Sequence, residues 1–442
     1  MSGWGGATSC SERTSRTIRE IGRAGEVLAH ARSDVLIVGG GVVGLACAYE
    51  LLGRGRSVRI VDRGRLGHGT SLSNCGLITP SHGAPLAQPG MLAQALRSMF
   101  HKDAPLRFKL RLDPSFLRWG LRFAGRCNAR DMRAAMTAKI EILTLSLRLL
   151  RELIEREHLD CEWETAGLLM VYRTEEGLAH GDALDRILAE FDLAPRKVGR
   201  TELLAMEPSL RDDVVGARFH PQDAHLKPER LVAELTRVVR ERGALVEEEC
   251  AVTGFRTEGG RVRSVETDRG PREAGEFVLA AGPWSPGLGR LLGIAIPIQP
   301  GKGYTITTAP PQPPPRIPMI LEERRVAVTP WRDSYRLGST MEFAGYDATL
   351  NRVRLDAIVR GAGEYLRTPL GEGERHEWYG WRPMTPDDLP LLGRAPRLSN
   401  LVLATGHNML GTSMAMGTAR IVADLVAGTS PPLDLAPFAP GR

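Results

Sequence analysis

Val35-Leu36-Ile37-Val38-Gly39-Gly40-Gly41-Val42-Val43-Gly44 is the stretch from which the fold is read. The first four residues are an apolar, mostly β-branched run that three glycines stop, which predicts a buried parallel strand. Val42 to Leu52 follows with a helical pattern, closed by Gly53-Arg54-Gly55. Ser57-Val58-Arg59-Ile60-Val61 then reads as a second strand, ending on Asp62. Gly39, Gly41 and Gly44 fit G-x-G-x-x-G in the strand–turn–helix setting that gives the pattern physical sense. The first glycine makes the turn, the second lets backbone approach a pyrophosphate, and the third lets helix and strand close together. A pyrophosphate would sit at the positive end of the helix. Asp62 stands 18 residues past the last glycine, Gly44, placed to accept hydrogen bonds from a ribose. These residues predict a dinucleotide site and leave FAD and NAD both open.

Working outward, Gly67-His68-Gly69-Thr70-Ser71-Leu72-Ser73-Asn74-Cys75-Gly76-Leu77-Ile78 is a loop of small and hydroxyl residues suited to a second phosphate and a ring system. A helix is expected at Lys227–Arg242. Strands are expected near Ala244–Glu248 and Cys250–Arg256, with a hairpin at Gly259-Gly260 and a further strand at Phe277–Gly282. Leu401–Gly406 reads as another strand, leading through His407–Ser413 into a helix over Met414–Ala427. A strand-to-helix turn this far from the first suggests a cofactor domain assembled from distant pieces. Ile140, Leu143, Leu147 and Leu150 recur at helical spacing within Ala134–Glu157, a core-packing stripe. The proline-rich stretch Ala309–Pro318 reads as a stiff loop.

The chain has 442 residues, enough for more than one structural unit and a full apolar core. Hydrophobic residues are 42% and charged residues 25%, ordinary globular values. Lys+Arg 58 against Asp+Glu 52 leaves +6, spread rather than clustered, with only 5% aromatics, a poor footprint for nucleic acid. The six cysteines include no C-x-x-C pair, so no local zinc or iron–sulfur pattern is present. Their wide spacing suits free thiols. No apolar run approaches the ~20 residues of a membrane span. Met1–Ser33 lacks the apolar stretch of a secretory signal and is expected to be a floppy extension.

Taken in order, these blocks resemble the D-amino-acid oxidase superfamily of flavoproteins, and most of all its D-amino-acid dehydrogenase group. The likeness spans roughly Asp34 to Ala427. It rests on Val35–Asp62, on Thr70-Ser71…Asn74-Cys75-Gly76 and on Ala280-Ala281-Gly282-Pro283-Trp284-Ser285. Further along it rests on Lys302-Gly303-Tyr304, Gly380-Trp381-Arg382-Pro383-Met384-Thr385-Pro386-Asp387 and Thr405-Gly406-His407…Gly411. The chain departs from that pattern at Asn408, where glycine is common, and at Met409 beside it. It departs again at Cys75 and at His82, where tyrosine is frequent.

The resemblance implies an α/β architecture, a Rossmann-like FAD-binding domain interleaved with a mixed-sheet α+β substrate domain. The FAD domain would draw on 34–79, 226–293 and 383–427, and the substrate domain on 80–225 and 294–382, with 428–442 as a tail. It implies non-covalent FAD held by Gly39, Gly41, Val43, Gly44, Asp62, Arg63, Thr70, Ser71, Asn74, Gly76, Leu77, Val252, Gly282, Trp284, Gly406, Asn408, Leu410, Gly411 and Thr412. His68 is read as part of the loop geometry rather than a point of flavin attachment. No metal is expected. Arg382 would grip a substrate carboxylate, with Tyr304 adding a hydroxyl and His82 a further candidate. The implied reaction is oxidation of a D-amino acid, with hydride passing from Cα to flavin N5 and the imino acid hydrolysing to a 2-oxo acid and ammonia. Hydroxy-D-proline, sarcosine or glycine are the alternative substrates. Electrons would go to a quinone, an electron-transfer chain or oxygen rather than NAD. The expected location is cytoplasmic or peripheral on the inner face of a membrane. An NAD-linked dehydrogenase and a non-catalytic flavoprotein subunit are the rival readings.

Overall fold

The computed structural model describes residues 32–98, 106–109 and 113–442. The expected floppy extension therefore lies outside the described residues except at its end, where Ser33 already opens the first strand, Ser33–Val38.

That strand is the centre of an eight-stranded sheet. Val58–Val61 pairs parallel on one side and Gly270–Leu279 parallel on the other. Leu245–Glu247 and Leu398–Thr405 extend the parallel set. Because neighbouring side chains of a strand point to opposite faces, Val35 and Ile37 enter one core cluster while Leu36 and Val38 enter another. A run buried on both faces needs apolar residues at every position, and Val35–Val38 supplies them. The helix Val42–Gly53 covers the first face. Gly270–Leu279 begins earlier than the sequence suggests, because its first half pairs antiparallel with Arg261–Thr267 to extend the hairpin Val252–Glu258/Arg261–Thr267.

A second sheet of nine strands is mixed. Its edge strand His376–Met384 pairs antiparallel with Gln299–Thr308, which pairs antiparallel with Tyr335–Phe343. Pro383, Pro386 and Pro390 read as a turn over Pro383–Pro390, but the edge strand runs on through Arg382 and Pro383 to Met384. Proline is tolerated there because an edge strand has one unpaired side.

Two segments lie where the sequence did not put them. The helix expected at Ala134–Glu157 spans Ala129–Glu157, and Ile142, Leu143, Leu147 and Leu150 join the cluster under the first sheet. It lies against the helix Gly411–Ala427, where a Cβ on Gly417 would stand 2.9 Å from the Ile142 carbonyl oxygen. A helix from the stretch read as substrate domain thus packs on the dinucleotide side. The expected tail is anchored: Phe438 is fully buried in the same cluster, and Arg442 pairs with Asp387 at 2.6 Å. Among the described residues no helix is long and apolar enough to cross a membrane.

Candidate active site

The turn after Ser33–Val38 is built from backbone. Gly39 has φ +106°, and a Cβ there would stand 2.6 Å from the Ala280 carbonyl oxygen. A Cβ on Gly44 would lie 1.9 Å from the Gly39 carbonyl oxygen, so only glycine lets the helix sit this close. Gly41 caps Val42–Gly53 without a side-chain hydrogen bond, and Val42 N donates to Ser71 Oγ at 3.0 Å. Asp62 accepts from Gly40 N at 2.7 Å and from Gly64 N at 2.8 Å. Its carboxylate therefore organises the glycine turn as well as facing the cavity, a role that the ribose expectation left out. Burial raises its pKa, against the lowering effect of those two amides.

Around this turn lies a cavity of about 810 Å³, within the range of ligand sites. Gly39, Gly41, Val43, Asp62, Arg63, Thr70, Ser71 and Asn74 line it, with Val252, Gly282, Trp284, Asn408, Gly411 and Thr412. The structure thus gathers fourteen of the expected FAD contacts from four distant stretches of chain. Arg63 lies over the Trp284 ring at 4.1 Å. Gly44, Gly76, Leu77, Gly406 and Leu410 stand behind the wall. A Cβ on Gly76 would meet the Leu226 carbonyl oxygen at 2.0 Å, and Leu77 O accepts from Ser413 Oγ at 3.0 Å. Gly406 turns the chain at φ +79°, and Leu410 begins the last helix. Asn408 takes φ +51°, a conformation that suits asparagine after glycine. Its side chain accepts from Thr385 N at 2.8 Å and donates to Gly406 O at 2.8 Å, so it locks the loop.

The roof is the edge strand. Thr70 Oγ1 donates to Trp381 O at 2.6 Å, tying loop to roof. Arg382 is half-buried and lines the cavity. Its Nη1 donates to Thr340 O at 2.7 Å, and desolvation lowers its pKa. Among the described residues no carboxylate is paired with it. The other two expected substrate contacts are not brought to it. Lys302, Tyr304 and Ile306 share one face of their strand, and Tyr304 is fully buried in the core there, donating to Glu342 at 2.7 Å. The guanidinium of Arg382 lies over Gly303, on the opposite face. His82 is outside the cavity lining; desolvation, with His220, Lys139 and Arg325 nearby, pushes its pKa down to about 3, so it is neutral. The sequence reading missed Tyr379, Trp381 and Met409, which also line the cavity. Trp381 packs edge-on against Trp284, Tyr346 and Tyr379. The pairing of Gly380 with Gly303 beside it marks where a ligand or side chain comes close to backbone.

Residues 34–425 match the DAO family of FAD-dependent oxidoreductases. The chain belongs to that family. It is 33% identical over 408 residues to D-amino acid dehydrogenase 2 of Mesorhizobium japonicum, covering 90% of this chain and 98% of that one. It is 35% identical over 405 residues to D-amino acid dehydrogenase of Paramagnetospirillum magneticum, covering 89% and 95%. Among solved structures it superposes on glycine oxidase from Geobacillus kaustophilus with TM-score 0.73 and 25% identity over 93% of this chain and 99% of that one. L-proline dehydrogenase from P. horikoshii shares the fold, with TM-score 0.71 and 20% identity over 93% and 98% of the two chains. The protein is thus an FAD-dependent oxidoreductase of mixed α/β fold. The helix end at Gly41, the glycine cradle and the Asp62 carboxylate fit that cofactor. Among the described residues no cluster of metal-ligating side chains occurs.

Proposed function

We propose that this protein oxidises a D-amino acid to an imino acid, with Arg382 holding the substrate carboxylate. The observation that carries the reading is a guanidinium on the cavity wall, hydrogen-bonded to one backbone carbonyl and, among the described residues, paired with no acid. Such a cation has planar donors to spare, and a carboxylate is the ligand that uses them two at a time. When bound, FAD supplies the two-electron sink. The amine gives up the Cα hydrogen with its electron pair and one N–H proton, and water then hydrolyses the imino acid to a 2-oxo acid and ammonia. The protein's part is placement: Arg382 fixes Cα, and Trp381 and Tyr379 shield it from water. Backbone N–H groups in Gly406–Ser413, at the head of an uncapped helix with no acid in its first turn, favour negative charge at that end of the cavity. The names of the curated relatives support the D-amino acid, and the superposition on glycine oxidase favours glycine as the second reading. Electrons pass to a quinone, an electron-transfer chain or oxygen. Leu117 and Leu121, 55% and 76% exposed beside exposed Arg118 and Arg122, support contact with an anionic membrane surface.

Removing one partner of a desolvated charge pair costs roughly 2–5 kcal/mol. Arg382→Met should therefore lower the ratio of anaerobic flavin-reduction rate constant to substrate dissociation constant about thirty-fold or more. Arg382→Lys should regain part of it, a point charge without the fork. Parental ratios in both variants would remove Arg382 from the site.

A further inference from the structure

We infer that Gly303 and the bulge at Thr340–Met341 form a built seat that aims the Arg382 guanidinium, so that these residues position the carboxylate contact without touching substrate. The inference rests on the reading of Arg382 given above.

The strands Gln299–Thr308 and Tyr335–Phe343 pair in register except at one place. Lys302 faces Glu342 and Tyr304 faces Ser339, so Thr340 and Met341 together oppose Gly303. Two residues against one is a β-bulge, a device that re-aims groups and recurs beside active sites. The bulged residue, Thr340, has φ +69°. Glycine is the usual occupant of that conformation, and a β-branched residue there is strained. Its hydroxyl does not explain the choice, because Oγ1 is buried with no hydrogen-bond partner. What the bulge achieves is visible in its carbonyl, which accepts from Arg382 Nη1 at 2.7 Å. Met341 Sδ lies 3.9 Å from the same nitrogen.

Gly303 completes the seat. A Cβ on it would stand 2.3 Å from Nη1 and 2.4 Å from both Cζ and Nη2. The guanidinium therefore rests flat on the second of two glycines of that face of the strand, where no side chain intervenes. Gly303 is outside the left-handed region, so its backbone suits alanine equally well. What a Cβ would displace is the flexible end of Arg382, not the sheet. The alternation Gly301-Lys302-Gly303-Tyr304 thus separates two tasks, large side chains into the core on one face and bare backbone under the arginine on the other.

The test is Gly303→Ala in the FAD-loaded protein, alone and combined with Arg382→Met. Benzoate serves as a carboxylate probe, with binding read from the visible absorption of the bound flavin. Gly303→Ala should weaken benzoate about tenfold or more, since misplacing a positioned group by about 1 Å is enough for such losses. FAD content should stay at the parental value. The double variant should bind benzoate no more weakly than Arg382→Met alone, because Gly303 acts only through the guanidinium. Should Gly303→Ala lower the Tm, the double variant should regain it, since the clashing atoms are gone. Parental benzoate affinity in Gly303→Ala, with loss in Arg382→Met, overturns the seat and leaves the anchor standing. Fully additive losses, or a double variant as unstable as Gly303→Ala, also overturn the seat. Parental affinity in Arg382→Met overturns the anchor, and the seat falls with it.

Discussion

Lys139 and Arg382 are both cations withdrawn from bulk water, and they are satisfied in opposite ways. Lys139 Nζ lies 2.6 Å from Asp388 Oδ2, with the two side chains only 3% and 2% exposed. Asp388 Oδ2 also accepts from Leu86 N at 3.1 Å. That ion pair clamps the helix Ala129–Glu157 to the turn after the edge strand. Arg382, on that edge strand, has a carbonyl oxygen and a sulfur for company and, among the described residues, no acid. A buried cation that brings its own counter-ion is architecture. One held by a carbonyl and a sulfur keeps donors for a ligand's charge, and on the proposed function this difference separates the binding wall from the clamp behind it.

The comparison breaks most visibly at the clamp. Asp388 has φ +62°, which asparagine also adopts readily, so Asp388→Asn keeps the backbone and removes the charge. Leaving Lys139 uncompensated should cost about 3–5 kcal/mol, seen as a lower midpoint of denaturant unfolding. Arg382→Met should leave that midpoint near the parental value, because no ion pair is lost. Equal destabilisation by the two variants would mean that Arg382 is structural too.

A smaller effect should follow from pH. Desolvation pushes His82 and His407 down to about 3 and His220 and His225 to about 4. These rings bind protons less readily folded than unfolded. Their contribution is complete above about 6.5 and is lost as pH falls from there toward 4. Asp223, which accepts from Ser81 Oγ at 2.5 Å, is pushed up to about 7 by burial and acts in the opposite sense. Its contribution is present below about 4 and is lost as pH rises toward 7. The carboxyls of Asp62 and Glu322 are also raised by burial and act with Asp223, but the four rings should prevail, so Tm should fall between pH 7 and 5 and Asp223→Asn should steepen the fall. A Tm that rises on acidification over that range would contradict the assignment of these rings as buried and neutral.

The dinucleotide half was readable in the sequence because its function resides in backbone, and backbone function is written as glycine spacing. Gly39, Gly41 and Gly44 serve close approach and a tight turn, and the parallel strands beside them are short apolar runs. Asp62 was legible as an acid at a strand end, though not as the acceptor for Gly40 and Gly64. The substrate wall was less legible because it depends on which face a residue takes. Tyr304 and Arg382 sit on neighbouring strands, yet the register, with Gly301 opposite Arg382 and Tyr304 opposite Tyr379, puts them on opposite sides of the sheet. Nothing in the local sequence around Thr340 announces a bulge, since the usual glycine is absent. The helix Ala129–Glu157 displayed its apolar stripe but not its partner, and Phe438 sits among prolines with no periodicity to mark it as core.

The central claim is that Arg382 recognises a carboxylate, and the most direct measurement compares an acid with its amide. Anaerobic flavin reduction by D-alanine and by D-alaninamide should differ in the parental protein by about thirty-fold or more in favour of the acid. In Arg382→Met that preference should collapse toward unity, because the amide never had the charge that the guanidinium reads. A variant that still prefers D-alanine by the parental factor would contradict the account and send the search for the carboxylate site to another wall of the cavity.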